Sequence, residues 1–512
     1  MEMPDRYKEQ LHCHNQFVLG PSFIEDFRSW KKIMITDRIR VTVHPDLSTY
    51  QAFRENKSIT LLGFVLDPHN PQTGDPEIIT GLLHALSDCD AFFQETYRYG
   101  GRWILIVNDG REIKLFNDAA GLRQVFYSDR RCTDEFWCAS QPRMIADILR
   151  LEMAEDAIDF INSYEFRKNP EFRWPGDSSP YKEIRHMLPN HYLDLATRCC
   201  KRYWPDRPLP YLPLSQAVGK ASATLQGLMK SAGNRFDLAL SMTAGLDSRM
   251  VLAASKDISN TVSLMTVRQI GKPENHADVG IPSALLSKLG LKHDVVKSSF
   301  IMTDEFLTAF RKNVPIAHPL YAPDAQAILD YYGQMKVAVT GSASEIARSS
   351  FRRDLNKPKN DVVTPQDLAK LQIMGENSFA LHHFQRWLSG TGEIYNLDIL
   401  DLFEWEQGHG NWLAMCQTEF DIAWKDIFTP FNCRNLLITM LSVDEQYRRP
   451  PYELHEKIIS KLWPELLSVP INPHYQKNEE AGPGIISFVR TQVSRYLPHA
   501  AKESIKKILR IR

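Results

Sequence analysis

One stretch of the chain, from Phe236 to Ser255, restricts the possible folds more than any other. It reads FDLALSMTAGLDSRMVLAAS. The apolar run from Phe236 to Ser241 predicts a buried parallel strand. The small residues from Thr243 to Ser248 predict a loop whose backbone N–H groups can approach an anion, and a helix is expected from Ser248 to Ser255. A phosphate at such a helix start meets free N–H groups and the positive end of the helix dipole.

The loop at 243–248, T-A-G-L-D-S, resembles the pyrophosphate loop S-G-G-x-D-S of ATP pyrophosphatases. Thr243 keeps the hydroxyl group of the serine, and Ala244 keeps a small side chain but has less backbone freedom than glycine. An ordinary strand-to-helix turn of an α/β protein is the alternative interpretation. The resemblance implies that the residues binding ATP and its pyrophosphate group here are Ser241, Thr243, Ala244, Gly245, Leu246, Asp247 and Ser248.

Further apolar runs extend the α/β pattern after this loop. Thr261 to Val267 and His293 to Val296 predict two more strands. Between them a helix is predicted from about Gly280 to Leu289, because Pro282 is best tolerated in a first helical turn. This β-α-β-α-β order predicts a doubly wound sheet that binds its ligand at the carboxyl ends of the strands.

A later strand, predicted from Lys336 to Thr340, continues into a second loop that reads G-S-A-S-E. This run resembles the S-G-x-G-x-D loop of the same enzymes. The resemblance implies that Thr340 and Gly341 contact the nucleotide and that Val267 lines the adenine pocket. Glu345 stands at the position of a metal-binding aspartate, so Asp247 and Glu345 would share Mg²⁺ with pyrophosphate oxygens. A surface ion pair is the alternative for Glu345.

The first half of the chain is predicted to be rich in β-strands. Strand-like runs lie at Ser58–Leu66, Arg102–Asn108 and Glu112–Asn117, and a helix is predicted from Pro76 to Ser87. The turn residues Asn108-Asp109-Gly110 predict a hairpin between the last two strands.

Two stretches of this half resemble the amidotransferase domain of asparagine synthetases. One extends from Y-G-G-R-W at 99–103 through N-D-G at 108–110 to F-N-D-A-A-G-L-R at 116–123, and the other is H-M-L-P-N-H-Y-L at 186–193. The two loops of the second half match the same family in the same order. The resemblance implies an α+β domain over residues 1–205, a β-sandwich of the Ntn-hydrolase type. It also implies an α/β doubly wound ATP-pyrophosphatase domain with a helical C-terminal part over residues 206–512.

The second residue of the chain departs from the glutamine-hydrolysing members of this family. They need a cysteine there, whose free amine acts as base and whose thiolate acts as nucleophile. This chain has Glu2, so we expect the first domain to keep the fold without glutaminase activity. Residues His12-Cys13-His14 are interpreted as ordinary polar residues near a terminus rather than as a metal site.

Three basic features of the second domain allow two interpretations each. The resemblance implies that Lys477 contacts the reacting phosphate, and a solvated lysine is the alternative. Arg348 either faces phosphate or is an ordinary loop arginine. The terminal run A-A-K-E-S-I-K-K-I-L-R-I-R is interpreted as a solvated helix, with a helix lying on an anionic membrane as the alternative.

Composition excludes some classes of function. Lys and Arg number 61 and Asp and Glu 62, so the basic excess of a general nucleic-acid binder is absent. The eight cysteines form no C-x-x-C pairs, which favours reduced thiols. Because no run approaches the length of a membrane span and no signal-peptide core is found, we expect a cytoplasmic protein.

The asparagine synthetase resemblance implies ATP-dependent amide formation. A substrate carboxylate would attack the α-phosphate, pyrophosphate would leave, and an amine would attack the acyl-adenylate. The implied cofactors are ATP and Mg²⁺, and the implied partners are a small-molecule or peptide carboxylate, ammonia or an amine, and as one option a second copy of the chain. Three alternatives remain open. They are a non-catalytic pseudo-synthetase scaffold that binds nucleotide or a biosynthetic partner, glutamine-independent asparagine synthesis, and thiolation or another adenylating reaction, for which Cys433 is the candidate sulfur carrier.

Overall fold

The structure is a computed structural model that describes residues 11–169, 171–318 and 320–472. Glu2, Lys477 and the basic C-terminal run lie outside the described residues. The described strands form two six-stranded antiparallel sheets in the first half and one five-stranded parallel sheet in the second half, a mixed α/β architecture. Within the described ranges, no helix is both long enough and apolar enough to cross a membrane.

Twelve strands build the two antiparallel sheets. In chain order they are β1 (Phe17–Gly20), β2 (Lys31–Thr36), β3 (Ile39–Val43), β4 (Thr49–Arg54), β5 (Lys57–Leu66), β6 (Gly100–Asn108), β7 (Ile113–Asn117), β8 (Phe126–Ser128), β9 (Cys138–Ala139), β10 (Ile184–His186), β11 (His191–Asp194) and β12 (Cys199–Arg202). The first sheet has the order β10-β8-β9-β1-β3-β2 and the second the order β12-β11-β7-β6-β5-β4.

These two sheets pack face to face as a sandwich. Phe17 and Val41 of the first sheet share one buried apolar cluster with Leu62 and Ile106 of the second. The predicted hairpin is confirmed, since β6 pairs with β7 in antiparallel register from Asn108↔Ile113 onward. The reversal depends on Gly110, whose φ of 91° is a conformation that side chains disfavour.

The helices of the first half lie around this sandwich, and those of the second half cover the parallel sheet and form the C-terminal part. They are α1 (Asp75–Ala85), α2 (Cys89–Thr96), α3 (Pro142–Leu149), α4 (Glu155–Asn162), α5 (Tyr164–Lys168), α6 (Leu214–Arg235), α7 (Leu246–Ala254), α8 (Ala277–Lys288), α9 (Asp304–Asn313), α10 (Ala322–Tyr332), α11 (Ser350–Leu355), α12 (Pro365–Leu371), α13 (Ser378–Ser389), α14 (Ile399–Phe403), α15 (Ala414–Phe420), α16 (Arg434–Leu441), α17 (Glu445–Arg448) and α18 (Glu453–Leu462). A π-helix spans Glu404–Leu413, and short 3₁₀ turns lie at Lys256–Ile258, Ser344–Ala347, Asp421–Ala423 and Pro464–Ser468.

The parallel sheet contains β13 (Leu238–Ser241), β14 (Ser263–Arg268), β15 (Asp294–Lys297), β16 (Val337–Val339) and β17 (Asp426–Phe428). Their order is β15-β14-β13-β16-β17, and every neighbouring pair is parallel. The four strands predicted from apolar runs are therefore confirmed within a few residues. Chain order runs outward in both directions from β13, so the strand order reverses between β13 and β16.

Two predicted helix starts are wrong. Helix α8 begins at Ala277 rather than near Gly280, which places Pro282 inside the helix. The His276 side chain caps this earlier start by accepting from the Asp278 N–H, and the Ser283 hydroxyl donates to the Val279 carbonyl near the proline. Proline removes one intrahelical N–H, and this polar cap and hydroxyl help the helix to begin before it.

Helix α7 begins at Leu246, two residues before the predicted start at Ser248. Gly245 is its N-cap residue. Leu246 and Asp247 therefore belong to the first helical turn rather than to the loop.

Buried ion pairs join the two halves. The Arg102 guanidinium of β6 donates to Asp421 at 3.0 Å and to Asp426 at 3.1 Å, and Arg123 donates to Asp426 at 2.7 Å. Burial alone would lower the pKa of Arg102, but Asp421 and Asp426 raise it above its ordinary value. Removing one partner of such a group leaves a buried charge uncompensated, which costs about 3–5 kcal/mol.

Candidate functional site

The two loops identified in the sequence follow neighbouring parallel strands. The first loop leaves the carboxyl end of β13 and the second leaves the carboxyl end of β16. This is also the place where the strand order reverses. In open α/β sheets, ligands bind outside the carboxyl ends of the strands at such a switch point.

The two loops touch through Gly341. A Cβ built on Gly341 would stand 2.6 Å from the carbonyl carbon of Asp247 and 2.7 Å from the backbone nitrogen of Ser248. Real Cβ atoms essentially never come so close to another heavy atom. Because these atoms are backbone, only glycine fits here without displacing one of the loops.

The N–H groups of the first loop are engaged by side-chain oxygens. Thr243 N–H donates to the Ser248 hydroxyl at 3.2 Å, and Gly245 N–H donates to the Thr243 hydroxyl at 3.1 Å. Ala244 N–H donates to a carboxylate oxygen of Asp278 at 3.4 Å. An anion entering this loop would therefore replace the Asp278 carboxylate.

Asp247 has a positively charged partner within the protein. Its carboxylate forms an ion pair with Arg348 and accepts a hydrogen bond from the Ser344 hydroxyl. The Arg348 guanidinium also lies over the ring of Tyr452, 5.5 Å from the ring centroid, and burial lowers its pKa. The residue predicted to hold a metal is thus neutralised by an arginine that sequence reasoning assigned to phosphate or to solvent.

Glu345 has a different partner. Its Oε2 atom lies 3.4 Å from Nε2 of His409, while Nδ1 of His409 donates to the Glu404 carbonyl oxygen at 3.0 Å. The Asp247 carboxylate therefore has a cationic partner, and the Glu345 carboxylate lies beside the His409 ring. Carboxylate oxygens are ligands that Mg²⁺ prefers, and in this structure Arg348 occupies the Asp247 carboxylate.

The π-helix at Glu404–Leu413 is a part of the site that sequence reasoning missed. It carries His409 toward Glu345, and π-helices occur frequently at functional sites. Glu404 is buried, and burial, Asp401 and Glu345 raise its pKa well above the ordinary value. The available signal was the polar, glycine-containing run E-Q-G-H-G-N between apolar helical segments.

The remaining predicted nucleotide-binding residues lie around these loops. Ser241 ends β13 and its hydroxyl contacts the sulfur of Met265, while Val267 is a half-buried residue of β14. The Leu246 side chain is buried, so only its backbone can face a ligand. The Thr340 hydroxyl is buried and has no hydrogen-bond partner among the described residues.

A C-terminal segment is held beside the first loop. Arg249 of α7 donates to the carbonyl oxygens of Leu466 and Pro470, each at 3.1 Å, and burial lowers its pKa to about 10. Asn472 N–H then donates to the Ala244 carbonyl oxygen at 3.2 Å. Asn472 therefore lies at the loop itself.

Cys433 does not suit the role of a sulfur carrier. The side chain is fully buried, and its thiol lies 3.4 Å from the Arg98 carbonyl oxygen. Burial raises the pKa of the Cys433 thiol to about 11, so the reactive thiolate is not populated near neutral pH. The thiolation alternative therefore loses its candidate residue.

A second cluster of ligand-type side chains lies in the first half. Ligand atoms of His14, His44 and Asp46 all lie within 4.8 Å of one another. However, Asp46 N–H donates to Nδ1 of His44 at 3.2 Å, which places the hydrogen of the neutral ring on Nε2. His14 Nε2 in turn lies 3.2 Å from the Asp46 carboxylate, while His14 Nδ1 is buried without a hydrogen-bond partner among the described residues.

No protein-family model and no curated protein matches the chain. Among solved structures, the glutamine phosphoribosylpyrophosphate amidotransferase from B. subtilis complexed with ADP and GMP is similar at 9% identity, over 68% of this chain and 73% of that one, with a TM-score of 0.22. A structure described as the allosteric regulatory enzyme of purine biosynthesis is similar at 10% identity, over 77% of this chain and 95% of that one, also with a TM-score of 0.22. Similarity at this level assigns neither a fold nor an activity.

Proposed function

We propose that this chain is an ATP-dependent amide-forming enzyme of the asparagine synthetase type. It would convert a substrate carboxylate to an acyl-adenylate, release pyrophosphate, and transfer the acyl group to ammonia or an amine. The observation that carries the proposal is the contact of Gly341 with Asp247 and Ser248 at the switch point of the parallel sheet. Each loop resembles a nucleotide-binding loop on its own, and the two lie next to each other although they are far apart in the sequence.

Each group of residues in the site has a proposed role that follows from its chemistry. The N–H groups of 243–245 and the start of α7 would receive the pyrophosphate, since a helix N-terminus attracts anions. The unpartnered Thr340 hydroxyl is available to the nucleotide. Asp247 and Glu345 would hold Mg²⁺, which when bound neutralises charge on the phosphate oxygens.

In this proposal the first half does not release ammonia from glutamine. It would be an Ntn-type sandwich retained without glutaminase activity, because the chain has Glu2 where hydrolysis of glutamine needs the terminal cysteine. The nitrogen donor would be free ammonia or the amine of a second substrate.

Pyrophosphate release from ATP and Mg²⁺ tests the proposal. The purified protein would be assayed with a panel of carboxylates, aspartate included, plus ammonia, beside Asp247→Ala and the exposed control Asp257→Ala. We expect release that depends on one acid, is lost in Asp247→Ala and is kept in Asp257→Ala. Absence of ATP binding by calorimetry, together with absence of release, would sink the enzyme proposal.

A non-catalytic scaffold is the second candidate, and a specific observation favours it. Arg348 already compensates Asp247, and Asp278 already occupies the Ala244 N–H. A site that is electrostatically complete without a ligand is expected of a scaffold that carries out no adenylation. Pyrophosphate release by the natural protein and by Arg348→Gln separates the two candidates, because a scaffold that binds nucleotide or a biosynthetic partner releases none in either.

A further inference from the structure

A cavity of about 390 Å³ lies in the first half, away from the loops described above. It is found where the edge strands of the two antiparallel sheets, β10 and β12, come together, and α13 of the second half closes it. Its lining includes Tyr127, His186, His191, Cys199 and Trp387. Its volume falls in the range of about 300–1,000 Å³ that is typical of small-molecule sites.

Arginine side chains dominate the polar lining of the cavity. They are Arg130, Arg131, Arg198, Arg202 and Arg386. Three of them donate to carboxylates, at 3.0 Å from Arg131 to Asp129, 2.9 Å from Arg202 to Glu406 and 3.0 Å from Arg386 to Asp177.

Arg130 and Arg198 have no carboxylate partner among the described residues. Arg130 donates to the Thr197 carbonyl oxygen at 3.1 Å, and Arg198 donates to the Asp134 carbonyl oxygen. A carbonyl oxygen satisfies a hydrogen bond but does not cancel a charge. The cavity therefore carries two uncompensated positive charges.

The histidines of the lining add no charge of their own. Burial lowers the pKa of His186 to about 3 and that of His191 to about 4, so both rings are neutral near pH 7. His191 Nδ1 donates to the Pro189 carbonyl oxygen at 2.8 Å, which leaves Nε2 as an acceptor. His186 is 2% exposed, and neither of its ring nitrogens has a partner among the described residues. The lining thus offers two cationic donors beside neutral histidines, and its Asp129 and Asp177 carboxylates are paired with Arg131 and Arg386.

We propose that this cavity binds a small metabolite that carries a phosphate monoester, with Arg130 and Arg198 on the phosphate oxygens. A monoester carries about −1.5 to −2 charge near neutral pH, which matches two guanidinium groups better than the single charge of a carboxylate does. The guanidinium fork also fits phosphate oxygens in a bidentate manner. The neutral histidines and Trp387 then face the organic part of the ligand.

Cys199 provides a local probe for the test, because it lines the cavity and is partly exposed, while exposed Cys132 lies outside the lining. The full-length protein would be alkylated with iodoacetamide, with mass spectrometry following both thiols. Inorganic phosphate, glycerol 3-phosphate and acetate would be compared at one ionic strength, because salt alone screens surface charges. We expect glycerol 3-phosphate to slow alkylation of Cys199 and to leave Cys132 unchanged.

Variants then locate the binding. Arg130→Gln and Arg198→Gln should each raise the concentration for half protection by about tenfold, as expected for the loss of a charge-assisted hydrogen bond. Arg111→Gln, an exposed arginine outside the cavity, should leave it unchanged. Asp247→Ala should also leave it unchanged, so this test does not depend on the proposed function.

Four results would overturn the proposal. They are protection by acetate equal to that by the ester, protection by inorganic phosphate but not by the ester, protection in both arginine variants equal to that in the natural protein, and no protection at millimolar ester. Thermal melting of each variant shows that it is folded, so that loss of protection is not a loss of structure.

Discussion

Gly341 and Asp247 are packed backbone to side chain, with only 2.7 Å between the Asp247 Cβ and the place where a Cβ of residue 341 would stand. The two loops, which follow different strands, can therefore lie this close only because residue 341 has no side chain. Everything proposed for nucleotide binding depends on this spacing.

Gly341→Ala should weaken both the fold and the site. The added methyl group clashes with backbone that cannot rotate away, and overpacking of this kind costs about 1–3 kcal/mol. We expect a lower free energy of unfolding by denaturant titration and weaker ATP binding by calorimetry. Gly219→Ala is the matched control, because Gly219 lies in α6 with no heavy atom within 4 Å of its Cβ position, so alanine should stabilise by roughly 0.5–1 kcal/mol. Equal effects of the two substitutions would contradict the close contact.

Arg348→Gln should strengthen the binding of Mg²⁺ with ATP. Arg348 and the metal compete for the Asp247 carboxylate, so removing the guanidinium removes a competitor worth roughly 1–2 kcal/mol, or about five- to thirtyfold in the dissociation constant. Calorimetry at several Mg²⁺ concentrations measures this. Arg353→Gln is the control, because Arg353 pairs with Asp354 instead. Weaker binding in Arg348→Gln would show that the arginine contacts the nucleotide rather than blocking it.

Arg249→Met should release the segment from Pro464 to Asn472. The buried guanidinium satisfies several carbonyl oxygens of this segment, and each buried acceptor left alone costs about 1–3 kcal/mol. Hydrogen exchange followed by mass spectrometry should show faster exchange over 464–472. In Arg268→Met, which removes an ion pair with the exposed Glu274, exchange over 464–472 should stay slow. Unchanged exchange in Arg249→Met would mean that apolar packing alone holds the segment.

His186 predicts an acid-sensitive stability. Its folded-state pKa is about 3 because of burial, against an ordinary 6.5, so below pH 6.5 the unfolded chain binds a proton that the folded chain does not. The contribution is present above pH 6.5 and is lost as the pH falls toward 3, by up to about 1.4 kcal/mol per pH unit.

His186→Phe should therefore flatten the dependence of the unfolding free energy on pH between about 6 and 4. Phenylalanine suits the site because the His186 ring already stacks on Phe126, with 4.5 Å between the ring centroids. His69→Gln, an exposed histidine, is the control. A slope that His186→Phe leaves unchanged would show that this ring titrates alike in the folded and the unfolded chain.

Local structure was predictable where the signal lies within a few residues. The strand at Leu238–Ser241 and the hairpin at Asn108-Asp109-Gly110 follow from an apolar run and from turn residues, and both are confirmed. Helix α8 was misplaced because its start depends on the His276 cap, a weak signal that the rule about Pro282 outweighed. Propensity rules score each residue separately, so they do not account for a cap that stabilises a helix start ahead of a proline.

Contacts between distant segments were not predictable in the same way. Nothing near Asp247 in the sequence indicates that Arg348 would be its partner. The two interpretations of Arg348, facing phosphate or facing solvent, did not include an ion pair within the protein. The cavity at the sheet edges was missed for the same reason, because its arginines come from β-strand ends and a helix far apart in the chain. The nucleotide-binding role of the loops, the domain boundary near 205 and the role of Lys477 stay predictions.

The ion pairs of Arg102 and Arg123 with Asp421 and Asp426 affect how this protein can be divided. A first half expressed alone would keep both guanidinium groups and lose both carboxylates, and a second half would keep two carboxylates without their cations. Neither fragment would retain a neutral interior. The sandwich therefore supplies the counter-charge of the carboxylates beside the parallel sheet, and we expect a second half without the sandwich to be unstable.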